Sequence, residues 1–561
     1  MKASDTFTKF FTKNNLLITA LFVVFLFLRL FVSSDSVIQG GDNLKYLEAA
    51  KSFPSHKLYN HQLYLLHPPF YPYTIYFVNL FFQKDYIAAI FISLFSSIVT
   101  FFILYKFFMM LTRNFNITFF ILMFYTLSVA FIISAGKVLK ESFLIMLIFL
   151  TIYYYVKGIK FNEKKSLIAA SIFGSFLAFT SDHTIFLFPA LILSYIFFSK
   201  INLKNLTFPN LKYAIIPVII ILIFYGSWFT IKFYQYSNNE YYPNGVGGTP
   251  LDTQNLNLLS TISPTYFEGF NPPYFSPGPI TVIKRIAFQF GYMFDIEPFS
   301  IPQGLNFTTM KFLLFPRHIV YMFLIYLPLA LIALLGFFSI IKDFIKTKQI
   351  YNNVNLYIVG LFLIFLIPIT QTFVSPRHIL TSYFFLFYFI GYGLVVLFEK
   401  KLKLQVRSKL IPIITILLLL IIPFWYYYNP YLVLFNKPVF GAQDTAEFIN
   451  SNLKKEDAIM AQAGYAVKLI YLTGHRVVGL YPKPEKLLSV IDYYDIKYVI
   501  FGRHYTSDVH HYSIDSVEFV RNNPDKFKLI ATIHEDYSDF YTEEDLASTD
   551  EVYIYKVKNK I

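Results

Sequence analysis

The sequence predicts a polytopic α-helical membrane protein with about eleven transmembrane helices and a soluble α/β domain at its C-terminal end. Three observations carry that expectation. The 561 residues are 56% hydrophobic and 20% aromatic but only 15% charged, against about 25% charged in ordinary soluble domains. Uncharged apolar runs of roughly 20 residues recur, long enough to cross a bilayer. Near residue 429 the composition changes: the tail holds 19 Asp and Glu against 15 Lys and Arg, while the whole chain has a formal charge of +14.

The predicted spans lie near 15–33, 86–105, 116–135, 142–157, 166–181, 184–199, 212–234, 316–341, 354–373, 379–398 and 410–428. The first is too long for a cleaved leader and has no small-residue cleavage site, so it reads as a retained helix. The shorter ones, such as 166–181, read as tilted or re-entrant. Lys and Arg counted over the short loops set the orientation. With the N-terminus in the cytoplasm, six basic clusters share one side, among them Lys157, Lys160, Lys164 and Lys165, and later Lys400, Lys401, Lys403, Arg407 and Lys409. The opposite, extracytoplasmic side receives loop 34–85, the turns near 136–141 and 181–183, loop 235–315, the turn at 374–378 and the whole tail. Basic clusters of this kind mark topology, so the positive charge does not point to nucleic acid. With no cysteine in the chain, disulfides and thiolate metal sites are excluded.

Loop 235–315 is rich in Pro, Gly, Asn and Tyr and long for a bare connection, which points to a lid or cap. Within it, Ile280–Phe294 has the pattern of an interfacial helix or of an ordinary surface helix. The tail, taken as a domain over 429–561, alternates helix and strand signals. Helices are expected after an Asp444 cap through Asn450, over Tyr465–Leu472 and over Pro484–Tyr494. Strands are expected at Ala458–Gln462, Arg476–Leu480, Tyr498–Phe501, Phe527–Ile533 and Val552–Val557. No Gly-rich phosphate loop follows any of these strands.

The candidate chemistry crowds the outer side. Asp42 follows Gly40-Gly41 just beyond the first span. A carboxylate there either deprotonates an acceptor hydroxyl or caps the helix Asn43–Ser52. Lys137, Lys140 and Glu141 fall within five residues on one outer turn: two cations suit a phosphate and the acid can orient an acceptor. The plainer reading is a set of interfacial anchors. Asp182-His183 makes a tight outer turn between two spans. The His67-Pro68-Pro69-Phe70-Tyr71-Pro72 stretch reads as a stiff extended return to the membrane. Arg317-His318 and Arg377-His378 occur in two copies of Pro-Arg-His-Ile, each opening a span from the outer side. Arg317 and Arg377 fit a lipid phosphate bidentately or snorkel to the headgroups. His56, His61 and His67 are spaced by five and six, which fits no single helix face, though with Asp42 and Glu48 they leave room for a divalent cation. No Gly-x-Ser-x-Gly nucleophile pattern occurs.

Taken in order, these motifs resemble the GT-C glycosyltransferases, in the branch that includes protein O-mannosyltransferases and bacterial aminoarabinose transferases. The matching features are an outer acid followed by a Tyr-x-x-Ala helix (Asp42, Tyr46, Ala49), the His67–Pro72 return and the Lys137–Glu141 turn. A Thr-led turn at Thr180–Pro189, an Arg opening a late span at Arg377 and a C-terminal α/β domain complete the series. The resemblance implies the GT-C fold and an inverting hexosyl or pentosyl transfer in a prokaryotic cell membrane. The donor would be a polyprenyl-phosphate-linked sugar and the acceptor a hydroxyl of a glycan, lipid or protein. It assigns Asp42 as base, with Glu141 beside it, and Lys137, Lys140, Arg377 and Arg317 as phosphate ligands. His67 would help shape the acceptor cleft. Independently of the resemblance, Asp182, His183 and His378 are candidate substrate contacts on the same side. Two departures stand out: Asn43 follows Asp42 where the family often has Glu, and Ser181-Asp182-His183 replaces a basic residue. The absence of Trp from the tail separates the chain from the oligosaccharyltransferases. The competing functions are a polymerase or ligase using lipid-linked glycans, and a non-enzymatic lipid-sugar flippase. The ionisable groups sit at span ends rather than mid-span, which disfavours the latter.

Overall fold

The computed structural model describes residues 13–34, 42–52, 68–199, 211–237, 241–243, 250–252, 327–347, 353–366, 380–401, 442–481, 483–502, 514–535 and 550–558. In chain order the first part is helical. It comprises α1 (Lys13–Ser34), α2 (Asp42–Ser52), α3 (Phe70–Phe82), α4 (Asp85–Thr112), α5 (Phe115–Leu127), α6 (Val129–Gly136), α7 (Glu141–Phe161), α8 (Lys164–Ala178), α9 (Leu187–Phe198) and α10 (Leu211–Ser237). A two-stranded ribbon, β1 (Tyr241–Pro243) and β2 (Pro250–Asp252), follows. Then come α11 (Leu327–Thr347), α12 (Val354–Leu366) and α13 (Leu380–Val395). Among the described residues six helices are individually long and apolar enough to cross a membrane, or seven if the bent pair α5–α6 counts as one.

Helices at ten of the eleven expected positions bear out the polytopic fold, with corrections. At 1.5 Å per residue, α8 with 15 residues and α9 with 12 rise only about 22 and 18 Å, less than the roughly 30 Å of hydrocarbon. They are short elements, as the reading of 166–181 allowed. The expected span at 116–135 is broken: α5 and α6 meet at an angle of 68°, because Ser128 adopts an extended conformation (φ −68°, ψ 121°). The span expected at 410–428, the start of that at 316–341 and the Ile280–Phe294 segment lie outside the described residues.

Burial sorts the helices. Every position of α13 from Leu380 to Ile390, and of α5 from Ile117 to Leu127, is buried. Their aromatic rings interlock: the ring centroids of Tyr125 and Phe384 lie 5.2 Å apart and those of Phe124 and Phe387 5.6 Å apart. These helices form the centre. Helix α10 instead exposes Ile215, Ile219, Leu222 and Ile223, an apolar face that only lipid suits. Where α11 crosses α13 the backbones touch. A Cβ added at Gly336 would come within 2.1 Å of the Phe389 carbonyl, and one at Gly393 within 2.1 Å of the Ile332 carbonyl. Small residues at a crossing let membrane helices approach this closely.

The tail is an α/β domain, built from α14 (Gln443–Asn452), β3 (Ala458–Ala461), α15 (Ala463–Thr473), β4 (Val477–Gly479), α16 (Pro484–Tyr494), β5 (Ile496–Gly502), α17 (Ile514–Asn522), β6 (Phe527–Glu535) and β7 (Asp550–Val557). The sheet order is β4-β3-β5-β7-β6. The first three strands are parallel, with Ile459 opposite Val477, and β7 runs antiparallel to both neighbours, with Ile500 opposite Ile554. All five expected strands and three expected helices occur, and α17 is additional. Asp444 does not cap α14: Ala442 precedes the helix and Asp444 lies in its first turn, where its charge meets the helix dipole.

The α11–α13 crossing yields a test. Gly393→Leu should lower thermal stability in detergent by the equivalent of about 1–3 kcal/mol, measured as the loss of folded monomer on heating. Gly226→Leu is the control, since a Cβ there meets nothing within 4 Å and unfolding should be unchanged.

Candidate functional site

The site is assembled from segments far apart in sequence, and one tyrosine joins them. Tyr71 stands in the first turn of α3. The prolines do not hold an extended return here: Pro69 is the N-cap of a helix that starts at Phe70 and includes Pro72. A first-turn proline removes an N–H that has no helical acceptor anyway, so the helix tolerates it. The Tyr71 ring is fully buried and meets the Tyr46 ring of α2 edge to face, with centroids 5.1 Å apart. Tyr46 lies one helical turn after Asp42, which opens α2.

The Tyr71 hydroxyl lies 3.4 Å from the Ser93 hydroxyl of α4, and Ser93 donates to the Leu139 carbonyl at 3.1 Å. Because the Ser93 proton is committed to Leu139, Tyr71 is the donor to Ser93. Leu139 sits midway between Lys137 and Glu141. A buried chain of two hydrogen bonds and one ring contact thus runs from the Asp42 helix to the Lys137–Glu141 turn. Burial, followed by the Ser93 contact and the nearby charge of Glu141, sets the Tyr71 hydroxyl; the net effect is to raise its pKa, so it remains a donor throughout the physiological range.

The Asp182-His183 turn joins the same cluster. The Phe70 N–H donates to the Phe179 carbonyl at 2.9 Å, and the Phe70 ring stacks on Phe176 at 4.5 Å. Thr184 closes the turn by donating to the Ser181 and Leu177 carbonyls. Residues Asp182 and His183 form its 3-10 backbone.

Lys137 and Glu141 are both buried, and Lys140 is partly so. Glu141 is the first residue of α7, where a carboxylate complements the helix dipole. The turn is braced from both sides, since Ser142 of α7 donates to Ser134 of α6 at 3.2 Å. Burial pushes the Lys137 ammonium down to about 7. His67, Arg317, Arg377 and His378 lie outside the described residues, as do the side chains of Asp42, Asp182 and His183. Among the described residues no three His, Asp or Glu side chains converge as metal ligands would.

Helix α2 also packs against the tail domain. Ala49 is buried in the same apolar cluster as Ile459, Tyr465 and Leu469 of the tail. Lys51 lies 3.8 Å from the Tyr471 ring of α15 and 3.5 Å from the Asp85 carboxylate at the start of α4. Glu48, one turn earlier, has its carboxyl raised above the usual range by burial, with Lys51 opposing.

Comparison with known proteins supplies the frame. A family profile described as dolichyl-phosphate-mannose-protein mannosyltransferase matches residues 66–228. The structure of ArnT from Cupriavidus metallidurans bound to undecaprenyl phosphate aligns at a TM-score of 0.51 and 10% identity, covering 96% of this chain and 97% of that one. The chain has the GT-C fold. The apo form of the same ArnT aligns at a TM-score of 0.49 and 11% identity over the same shares. No curated protein sequence matches.

The expected resemblance and the GT-C fold are thereby borne out. The matched segment spans α3 to α10 and holds Lys137, Lys140, Glu141, Asp182 and His183, while Asp42 and both Arg-His pairs fall outside it. Sequence reasoning missed Ser93, and it gave Tyr71, inside the His67–Pro72 stretch, no role as the part that joins these segments. Neither carries charge, and an aromatic and a serine in apolar surroundings give no signal of their own.

The buried lysine of this site makes a pH prediction. Its charged fraction grows as pH falls through about 7, so a phosphodiester anion should bind about tenfold more tightly at pH 6 than at pH 8. Lys137→Arg, whose guanidinium stays charged, should flatten that slope. Calorimetric titration of both proteins at the two pH values checks it; a slope unchanged in the variant would assign the titration to another group.

Proposed function

We propose that the chain is an inverting glycosyltransferase. In this reading it moves a hexosyl or pentosyl unit from a polyprenyl-phosphate-linked donor to a hydroxyl of a glycan, lipid or protein acceptor on the extracytoplasmic face. The observation that carries the proposal is the buried connection through Tyr46, Tyr71, Ser93 and Leu139. It holds the helix that starts with an acid beside a turn that carries two cations and a second acid. Those are the parts that displacement at a sugar phosphate requires.

Asp42 takes the proton of the acceptor hydroxyl as its oxygen attacks the anomeric carbon from the face opposite the phosphate. The bond from that carbon to the phosphate oxygen breaks and the lipid phosphate leaves with the electron pair. A departing phosphate needs positive charge rather than a proton, and Lys137 and Lys140, with Arg317 and Arg377 from the later outer segments, supply it. Glu141 orients the acceptor or the sugar hydroxyls. His67, Asp182, His183 and His378 line the cleft around them.

Sidedness supports the same reading. The N-terminal ends of α4 and α7 lie with α2 and the tail domain, whereas their C-terminal ends meet where Lys160 donates to the Met110 carbonyl. Arg113, Lys157, Lys160, Lys164 and Lys165 crowd that second face, which the charge rule places in the cytoplasm. The N-terminus is then cytoplasmic and the α/β domain extracytoplasmic.

The test is transfer by purified protein in lipid, with radiolabelled sugar on polyprenyl phosphate. Asp42→Asn should fold and bind donor but lose at least about a hundredfold in kcat, the scale of a lost general base. Full activity in that variant would falsify the assignment of the base. Transfer only from an oligosaccharide lipid would move the chain to the polymerase class.

A further inference from the structure

Arg29 lies in the first span, five residues from the end of α1, and is 0% exposed. Among the described residues no carboxylate pairs with it. Instead its Nε donates to the Ser97 hydroxyl at 2.8 Å, its Nη2 to the Tyr125 carbonyl at 2.9 Å and its Nη1 to the Thr126 carbonyl at 3.2 Å. The guanidinium lies 3.7 Å from the Phe25 ring centroid and 4.8 Å from that of Tyr125. The Tyr125 hydroxyl returns to Ser97, its own oxygen 2.8 Å from the Ser97 hydroxyl.

The two carbonyls explain the arginine. They belong to the last turn of α5, and the chain breaks immediately after it at Ser128. The final carbonyls of a helix have no donor from their own helix, and inside a bilayer no water replaces it. A planar fork with parallel N–H groups serves two adjacent carbonyls at once, which a lysine amine on its flexible stem does less well. Its charge also sits at the negative end of the α5 dipole. Arg29 thus makes the 68° bend tolerable at membrane depth. Beyond the bend, α6 runs eight residues and delivers Lys137, Lys140 and Glu141.

We infer that Arg29 is a positioning residue: by bonding the open carbonyls of Tyr125 and Thr126 it fixes the α5–α6 bend and thereby the placement of the Lys137–Glu141 turn. The functional consequence rests on the glycosyl-transfer reading; the structural one does not. Eight residues span about 12 Å, so a change of about 20° in the bend moves the far end of α6 by roughly 4 Å. Misplacement on that scale costs about 10- to 100-fold in rate.

The chain has no cysteine, so paired spin labels can be placed directly. Labels at Tyr86→Cys, at the outer start of α4, and Lys140→Cys report the position of the turn against a fixed helix. With Arg29 present the distance distribution should be narrow. Arg29→Gln should shift or broaden it by roughly 4 Å, and Arg29→Lys should restore it in part. Without labels, kcat/KM for transfer should fall about 10- to 100-fold in Arg29→Gln and less in Arg29→Lys, with folded yield maintained. An unchanged distance distribution in both variants overturns the inference, whatever the activity. Loss of folded protein in both also overturns it, because Arg29 would then serve folding rather than placement. An inactive wild type defeats the glycosyl-transfer reading and leaves the distance comparison to decide the role of Arg29.

Discussion

The Tyr71 hydroxyl is the hinge pin of this molecule. Its bond to Ser93, and the bond from Ser93 to the Leu139 carbonyl, join fully buried groups. Polar groups there must find one another or remain unsatisfied. That requirement fixes how α3, α4 and the turn before α7 come together. Packing alone lets apolar helices slide past one another, because lipid tails are as apolar as leucine. A hydroxyl aimed at one carbonyl allows a single arrangement. The Tyr46 ring against Tyr71 then carries the arrangement to the helix that begins with Asp42.

The tail domain is attached to the same construction. Helix α2 contributes Ala49 to the apolar cluster of the tail, while Lys51 reaches both Tyr471 of α15 and Asp85 of α4. One face of α2 therefore meets the membrane helices and another the α/β sheet. The tail therefore packs directly on the element that begins with Asp42. An exposed lysine contributes little as an ion pair alone, but here its ammonium also rests on an aromatic face, which adds to its value where water is partly excluded.

Much of this was legible in the sequence, for identifiable reasons. Apolar runs of spanning length and the strand pattern of the tail announced themselves: Pro484–Tyr494 is the helix expected there, and the expected strand at Ala458–Gln462 is matched at Ala458–Ala461. The break at Ser128 was hidden because hydropathy is continuous across it and no glycine or proline marks it. The Pro68-Pro69 pair misled in the opposite direction. Prolines read as an extended piece, whereas the following Phe70 and Tyr71 are drawn into a helix by burial against Phe176, Phe143 and Tyr46. Of the site, the charged turn Lys137–Glu141 was visible because charge is rare in such a chain. The uncharged connectors were not. Arg29 did carry a signal, a cation inside a span, but only the broken helix beside it explains why the cation is there.

A glycosyltransferase built this way must hold its lipid phosphate against the turn after α6. The most direct measurement is photo-crosslinking with a polyprenyl phosphate bearing a diazirine next to the phosphate, followed by mass spectrometry of the labelled peptides. Adducts should concentrate in residues 137–141 and be competed away by unlabelled lipid phosphate. Specific adducts confined to the basic face near Arg113, Lys157 and Lys160, with none in the turn, would contradict it.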